Sequence, residues 1–163
     1  PFIWERHVVD SLQLLPLLPP HAKVVADLGS GSGFPALPLA IASGLEFHLY
    51  ESNNKKAAFL REAMRVTDCK GQVHGERLTG KAPAHGFPKV DVVTARALAP
   101  LSELLELAQP LMKNGAQALF LKGQDVDHEL TQAQKYWRIQ YTKHASSTDS
   151  QGIILAVQEV SRV

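Results

Sequence analysis

Only one cysteine, Cys69, occurs in the 163 residues, which excludes an internal disulfide and a cysteine-rich metal site and suits a reducing compartment. No apolar run approaches the roughly 18 to 20 residues of a membrane span, and the start lacks a basic stretch followed by an apolar one. A cytoplasmic protein is expected. Charge of one sign is also scarce, since the formal net charge is +1. That is weak for a nucleic-acid binder, which usually shows a strongly basic domain or face, so composition alone neither supports nor excludes RNA. The seven histidines are scattered without ligand spacing. His128-Glu129 opens a zinc-protease pattern, but Gln132 stands where the second histidine belongs, so no metal is expected. Gly75 to Lys81 nearly spells a phosphate loop, yet Ala82 lacks the hydroxyl that would hold magnesium. No serine occupies the centre of a G-x-S-x-G nucleophile elbow.

What is present is a 45% hydrophobic chain, enough for one compact domain over residues 1–163. Val8, Leu12 and Leu15 recur at helical spacing over residues 4–18, and Pro19-Pro20 stops that helix. Strands are expected at 23–27, 45–51, 72–75, 90–95 and 115–122, alternating with helices at 34–42, 53–67, 100–113 and 125–135. In the second of these helices Phe59, Leu60, Ala63 and Met64 are expected to line one face. Runs 136–144 and 153–160, joined by a polar turn, read as an antiparallel hairpin. The alternation predicts an α/β fold, a doubly wound and largely parallel seven-stranded sheet flanked by helices.

Asp27-Leu28-Gly29-Ser30-Gly31-Ser32-Gly33 closes the first of these strands and opens a helix, where free backbone amides and glycines let a ligand approach the main chain. The spacing is G-x-G-x-G. The dinucleotide fingerprint needs a glycine where Phe34 stands, which disfavours an NAD-dependent Rossmann oxidoreductase. Glu51 ends the next strand, where an acid can accept the hydrogens of both ribose hydroxyls of an adenosine ligand. Asp27 could serve a ligand's ammonium. Together these features predict the class I, Rossmann-like fold of S-adenosylmethionine-dependent methyltransferases. A methyltransferase-like RNA-binding module without activity is the further alternative; it would require a damaged cofactor pocket, and the glycine loop is intact.

Cys69 is not preceded by proline, which argues against covalent attack on a pyrimidine, and an Asn/Asp-Pro-Pro-aromatic motif for exocyclic amines is missing. A ring nitrogen such as guanine N7 carries a lone pair and no proton, so its methylation needs alignment more than acid–base help.

Several segments in order, Arg6-His7 with Asp10-Ser11-Leu12, Asp27 to Pro35, Leu37 to Ile41, Glu51-Ser52 with Lys55-Lys56 and Phe59-Leu60, Arg77, Ala95-Arg96-Ala97 and Leu121-Lys122-Gly123, resemble the RsmG (GidB) family of bacterial 16S rRNA guanine-N7 methyltransferases. The resemblance implies S-adenosyl-L-methionine as cofactor and 16S rRNA or the small ribosomal subunit as partner. By position it further implies that Gly29 and Phe34 contact the cofactor, that Leu78 and Thr79 flank its adenine, and that Arg96 lies at the methyl-transfer end. Ala36 and Leu78-Thr79 depart from the family pattern. The family also has a helical segment before its Arg-His motif, and with Pro1 first in the sequence that segment is expected to be missing. A monomer is expected.

The cofactor candidates are thus Asp27, Gly29, Gly31, Gly33, Phe34, Glu51, Leu78, Thr79 and Arg96. Arg96, His7 and Lys122 are candidates for a catalytic part, and Arg6, Lys55, Lys56 and Lys122 for RNA contact. Each has a purely structural reading. Arg96 could pair with Asp91 or Glu76, and His7 with Asp10; the lysines could simply be solvated. Trp4, Tyr136 and Trp137 are read as core or rim.

Overall fold

A computed structural model describes residues 4–96 and 98–163. Its single sheet holds seven strands: β1 (Val24–Leu28), β2 (Glu46–Tyr50), β3 (Gly71–His74), β4 (Val92–Arg96), β5 (Gln117–Lys122), β6 (Trp137–Ala145) and β7 (Ile153–Arg162). They lie in the order β3-β2-β1-β4-β5-β7-β6. Strands β1 to β5 run parallel, and β7 is antiparallel to both β5 and β6. The chain builds outward from β1 through β2 to β3, then crosses to β4 on β1's other side. That reversal of strand order opens a crevice at the carboxyl ends of β1 and β4.

The apolar runs of β1, β4 and β5 suit strands covered on both faces. Alternation divides their side chains between two cores. Ala26, Leu28, Val93, Ala95, Ala118 and Phe120 face one core with Leu104 and Leu105 of α4 (Leu101–Met112) and Leu130 of α5 (Val126–Ala133). Val25, Val92, Leu119 and Leu121 face the other, with Leu39 of α2 (Ala36–Ser43) and Leu60 of α3 (Asn54–Val66). Asn53 caps α3, its side chain accepting from the Lys56 amide at 3.0 Å. The expected strands and helices appear within a few residues of their predicted ends, and among the described residues no helix is long and apolar enough to cross a membrane.

Two expectations need correction. The first helix is not continuous over 4–18: a π-helical turn (Trp4–Val9) runs into the short α1 (Asp10–Leu12), followed by a 3-10 turn (Leu15–Leu17). Pro16 has no N–H for the Leu12 carbonyl and its ring crowds that carbonyl, so the helix breaks before Pro19 is reached. On α3, Ala57, Leu60 and Met64 are buried, whereas Phe59 points outward and is 54% exposed. The buried stripe follows i, i+3, i+7, which leaves Phe59 beside it.

Candidate active site

The glycine loop leaves β1 with Gly29, Gly31 and Gly33 all at positive φ, +63°, +56° and +97°, a region L side chains rarely adopt. A Cβ on Gly29 would lie 2.5 Å from Leu98 Cδ1, and one on Gly33 would lie 2.4 Å from Leu37 Cδ1. Gly31 meets only the loop's own Gly29 carbonyl, at 3.7 Å.

Two acids fix this loop. Asp27 lies beneath it, 1% exposed, with Oδ2 accepting from Ser30 Oγ at 2.7 Å and Oδ1 from Thr94 Oγ1 at 2.6 Å. Thr94 is its register partner on β4. Burial pushes the Asp27 carboxyl up to about 6, opposed by the two hydroxyl donors and by the positive charge of Arg96. Glu51 stands beside the loop. Its Oε1 accepts from the Gly31 amide at 2.8 Å and its Oε2 from the Asn53 amide at 2.9 Å.

Gly29, Gly31, Glu51, Leu78 and Leu98 line a cavity of about 360 Å³ at the carboxyl ends of β1 and β2. Tyr50 forms part of its wall, stacked on His74 at 4.5 Å and meeting the edge of Phe87. Among the described residues its hydroxyl has no partner, and burial, reinforced by Glu76, pushes it up to about 12.

Beyond the cavity, Arg96 ends β4. Its Nη2 lies 3.2 Å from His7 Nδ1, its Nη1 lies 3.8 Å from Asp10 Oδ2, and its guanidinium sits 5.8 Å from the Phe34 ring centroid. His7 also stacks on Phe34, with ring centroids 5.0 Å apart. A guanidinium only donates, so His7 Nδ1 must accept, which places the ring proton of the neutral form on Nε2.

The structure sorts the predicted residues. Gly29, Gly31, Glu51 and Leu78 come together at the cavity, joined by Lys56. Asp27 and Gly33 support the loop from below, Phe34 faces His7 and Arg96, and Thr79 is exposed outside the lining. Arg96 occupies a neighbouring cleft with Asp10 and Lys122.

Its proposed pairing with Asp91 or Glu76 does not occur. Asp91 sits at the opposite end of β4, binding the Lys23 and Val24 amides, and Glu76 lines the same cavity as Glu51. His7 and Asp10 do not pair with each other: His7 bonds Arg96, while Asp10 accepts from Gln13 and Thr148 and faces Arg96 only at 3.8 Å.

Lys122 is the clearest correction to the RNA candidates. Its side chain is 8% exposed, pairs with Glu129 at 2.7 Å and donates to the Ala99 carbonyl at 3.1 Å, so it is committed inside the protein. Arg6 and Lys55 are exposed, and Ala97 lies outside the described residues. Sequence reasoning missed Leu98 and Tyr50. The first is an apolar residue in a loop directly after Arg96, a signal that could have marked it as a lid over Gly29.

The donor set fits S-adenosylmethionine. The ligand has no phosphate to cradle, a carboxylate with two lone-pair sites still open faces the cavity for ribose hydroxyls, and the backbone of Gly29 and Gly31 lines the cavity beside it. With the sheet order and terminal hairpin, this defines the class I, Rossmann-like fold of S-adenosylmethionine-dependent methyltransferases. A glycopeptide N-methyltransferase, MtfA, solved with S-adenosyl-L-methionine, superposes with a TM-score of 0.71 at 10% identity, over 93% of each chain. Residues 1–154 match the family model described as rRNA small subunit methyltransferase G, and the chain belongs to that family. A ribosomal RNA small subunit methyltransferase G from Bradyrhizobium sp. (strain ORS 278) is 52% identical over 99% of this chain and 74% of its own. The Rhodospirillum rubrum protein of the same description is 51% identical over 98% and 77%.

Proposed function

We propose that the chain transfers the methyl group of S-adenosylmethionine to N7 of a guanine in 16S rRNA, in the cytoplasm. The observation that carries this reading is the Arg96–Phe34–His7 group at the end of β4, beside the cofactor cavity. Flat, partly aromatic and cationic, it suits a purine and its phosphate.

Bound in the cavity, the cofactor supplies a methyl group on a positively charged sulfur. Glu51 holds the ribose hydroxyls, Gly29 and Gly31 give close access to backbone, and Leu78 and Leu98 exclude water on the far side. Guanine N7 already carries a lone pair, so Arg96 has to orient the base without a proton changing hands. Arg6 and the exposed lysines Lys55 and Lys56 contact RNA phosphates.

The test is incubation with labelled cofactor and small ribosomal subunits that lack the modification. 7-Methylguanosine in the digested rRNA is the expected product. Its absence, with cofactor binding intact by calorimetry, contradicts the reading.

A further inference from the structure

Asp10 is placed for more than pairing with Arg96. Its Oδ1 accepts from Thr148 Oγ1 at 2.6 Å and from Gln13 Nε2 at 2.7 Å. Gln13 in turn accepts from the Ser147 amide at 2.9 Å, so α1 is tied to the turn between β6 and β7. One carboxylate oxygen is therefore saturated and the group cannot rotate freely.

The other oxygen is different. Among the described residues no donor lies within hydrogen-bond distance of Oδ2; Arg96 Nη1 stands off at 3.8 Å. Asp10 lines two clefts, one of about 280 Å³ shared with Arg96 and Ser146, and one of about 480 Å³ shared with Arg6 and His7. Asp149 also borders both, with Oδ1 taken by the Gln151 amide at 2.9 Å. Lys122 borders the first but is bound to Glu129. A fixed carboxylate with an open oxygen is a poor neighbour for phosphate and a good acceptor for adjacent N–H donors.

In guanine, N7 lies on one side of the ring system, and N1–H with the 2-amino group lies on the opposite, Watson–Crick side. A base with N7 turned toward the cavity at β1 and β2 presents that donor edge away from it. The sheet order places β4, with Arg96 at its end, between β1 and β5, and Asp10 shares a cleft with Arg96 and with Lys122 and Ile153 at the ends of β5 and β7. An unpaired base read on its Watson–Crick edge is the usual arrangement where chemistry is done on a base.

We infer that Asp10, with Oδ1 locked by Thr148 and Gln13, is a specificity-determining residue whose Oδ2 accepts from N1–H and the 2-amino group of the target guanine. This rests on the guanine-N7 reading above and adds the residue that distinguishes guanine from a purine without those donors.

The experiment compares wild type, Asp10→Asn and Thr148→Ala on small subunits carrying either guanosine or inosine at the methylated position. Inosine keeps N7 and N1–H and lacks the 2-amino group. Wild type prefers guanosine by roughly 10-fold in kcat/KM, within the range for a paired base contact. In Asp10→Asn the amide can still accept from Thr148, yet the guanosine substrate loses roughly 10- to 100-fold, mainly through KM and subunit affinity, and the preference collapses toward one. Cofactor affinity stays unchanged. Thr148→Ala loosens Asp10 and lowers activity while keeping the preference for guanosine.

An Asp10→Asn enzyme that is weakened but retains the full preference overturns the inference, as does a Thr148→Ala enzyme that loses the preference equally, since Asp10 would then only brace the turn. A wild type that forms 7-methylguanosine and does not distinguish inosine also refutes it while sparing the guanine-N7 reading. A wild type that forms no 7-methylguanosine at all removes both.

Discussion

On the β1–β2 side, the glycine loop is held by groups close to it in sequence or paired across one strand: Glu51 binds Gly31, twenty residues away, and Asp27 binds Ser30, three away. On the β4–β7 side, Arg96 is bonded to His7 and faces Asp10, and Asp10 is held by Thr148, across 86 to 138 residues. The first region is mainly backbone shaped by glycine and pinned by acids. The second is side chains gathered from both ends of the chain. A local, backbone-built pocket can serve one invariant ligand, whereas a surface assembled from remote side chains can be tuned to a particular substrate without disturbing it.

That contrast can be broken by substitution, beginning with the largest effect. Lys122→Ala leaves Glu129 partly buried without its cation and should cost about 4 kcal/mol of stability, the scale for losing one partner of a buried pair. Denaturant unfolding measures it. A loss of RNA affinity with unchanged stability would return Lys122 to the RNA surface.

Asp27 ties the two regions through Thr94, and its raised carboxyl makes the tie pH-dependent. Because the folded pKa of about 6 exceeds the ordinary 3.8, the native state binds more protons than the unfolded chain between those values. The contribution is fully present below pH 4 and is lost as pH rises through 6, on the order of 3 kcal/mol in total. Relative to wild type, Asp27→Asn should therefore gain stability progressively across pH 4 to 6 and hold that gain above. A difference that does not change with pH contradicts the raised value.

Glu51→Ala removes acceptors for two amides and the ribose. It should weaken cofactor binding by about 2 kcal/mol, roughly 30-fold, since hydrogen bonds to charged groups are worth that much. Calorimetry decides. The smallest expected change is Thr148→Ala, whose lost hydrogen bond to Asp10 should cost about 1 kcal/mol in a thermal melt and leave cofactor affinity untouched.

The same division explains what could be read from the chain. Val24 to Leu28, the glycines and Glu51 signal a strand, a turn and an acid through local patterning, so the fold and the pairing of loop with Glu51 were legible. Arg96 could be placed at a strand end, but its partners could not. Nothing in the spacing of Asp10 and Thr148 says that the hairpin turn folds back onto α1. Pro16 breaks the first helix although the apolar period continues past it, because a missing N–H outweighs spacing. The burial of Lys122 depends on Glu129 arriving from α5, a tertiary event that composition cannot show.

On the proposed function, cofactor binding and substrate orientation reside in separate, differently built halves of one site. Titrating S-adenosylmethionine into Glu51→Ala and Arg96→Ala, alongside rRNA methylation by each, separates the two halves. Glu51→Ala is expected to bind the cofactor weakly, whereas Arg96→Ala binds it as wild type does and fails to methylate rRNA. Equal loss of cofactor affinity in both variants would contradict it.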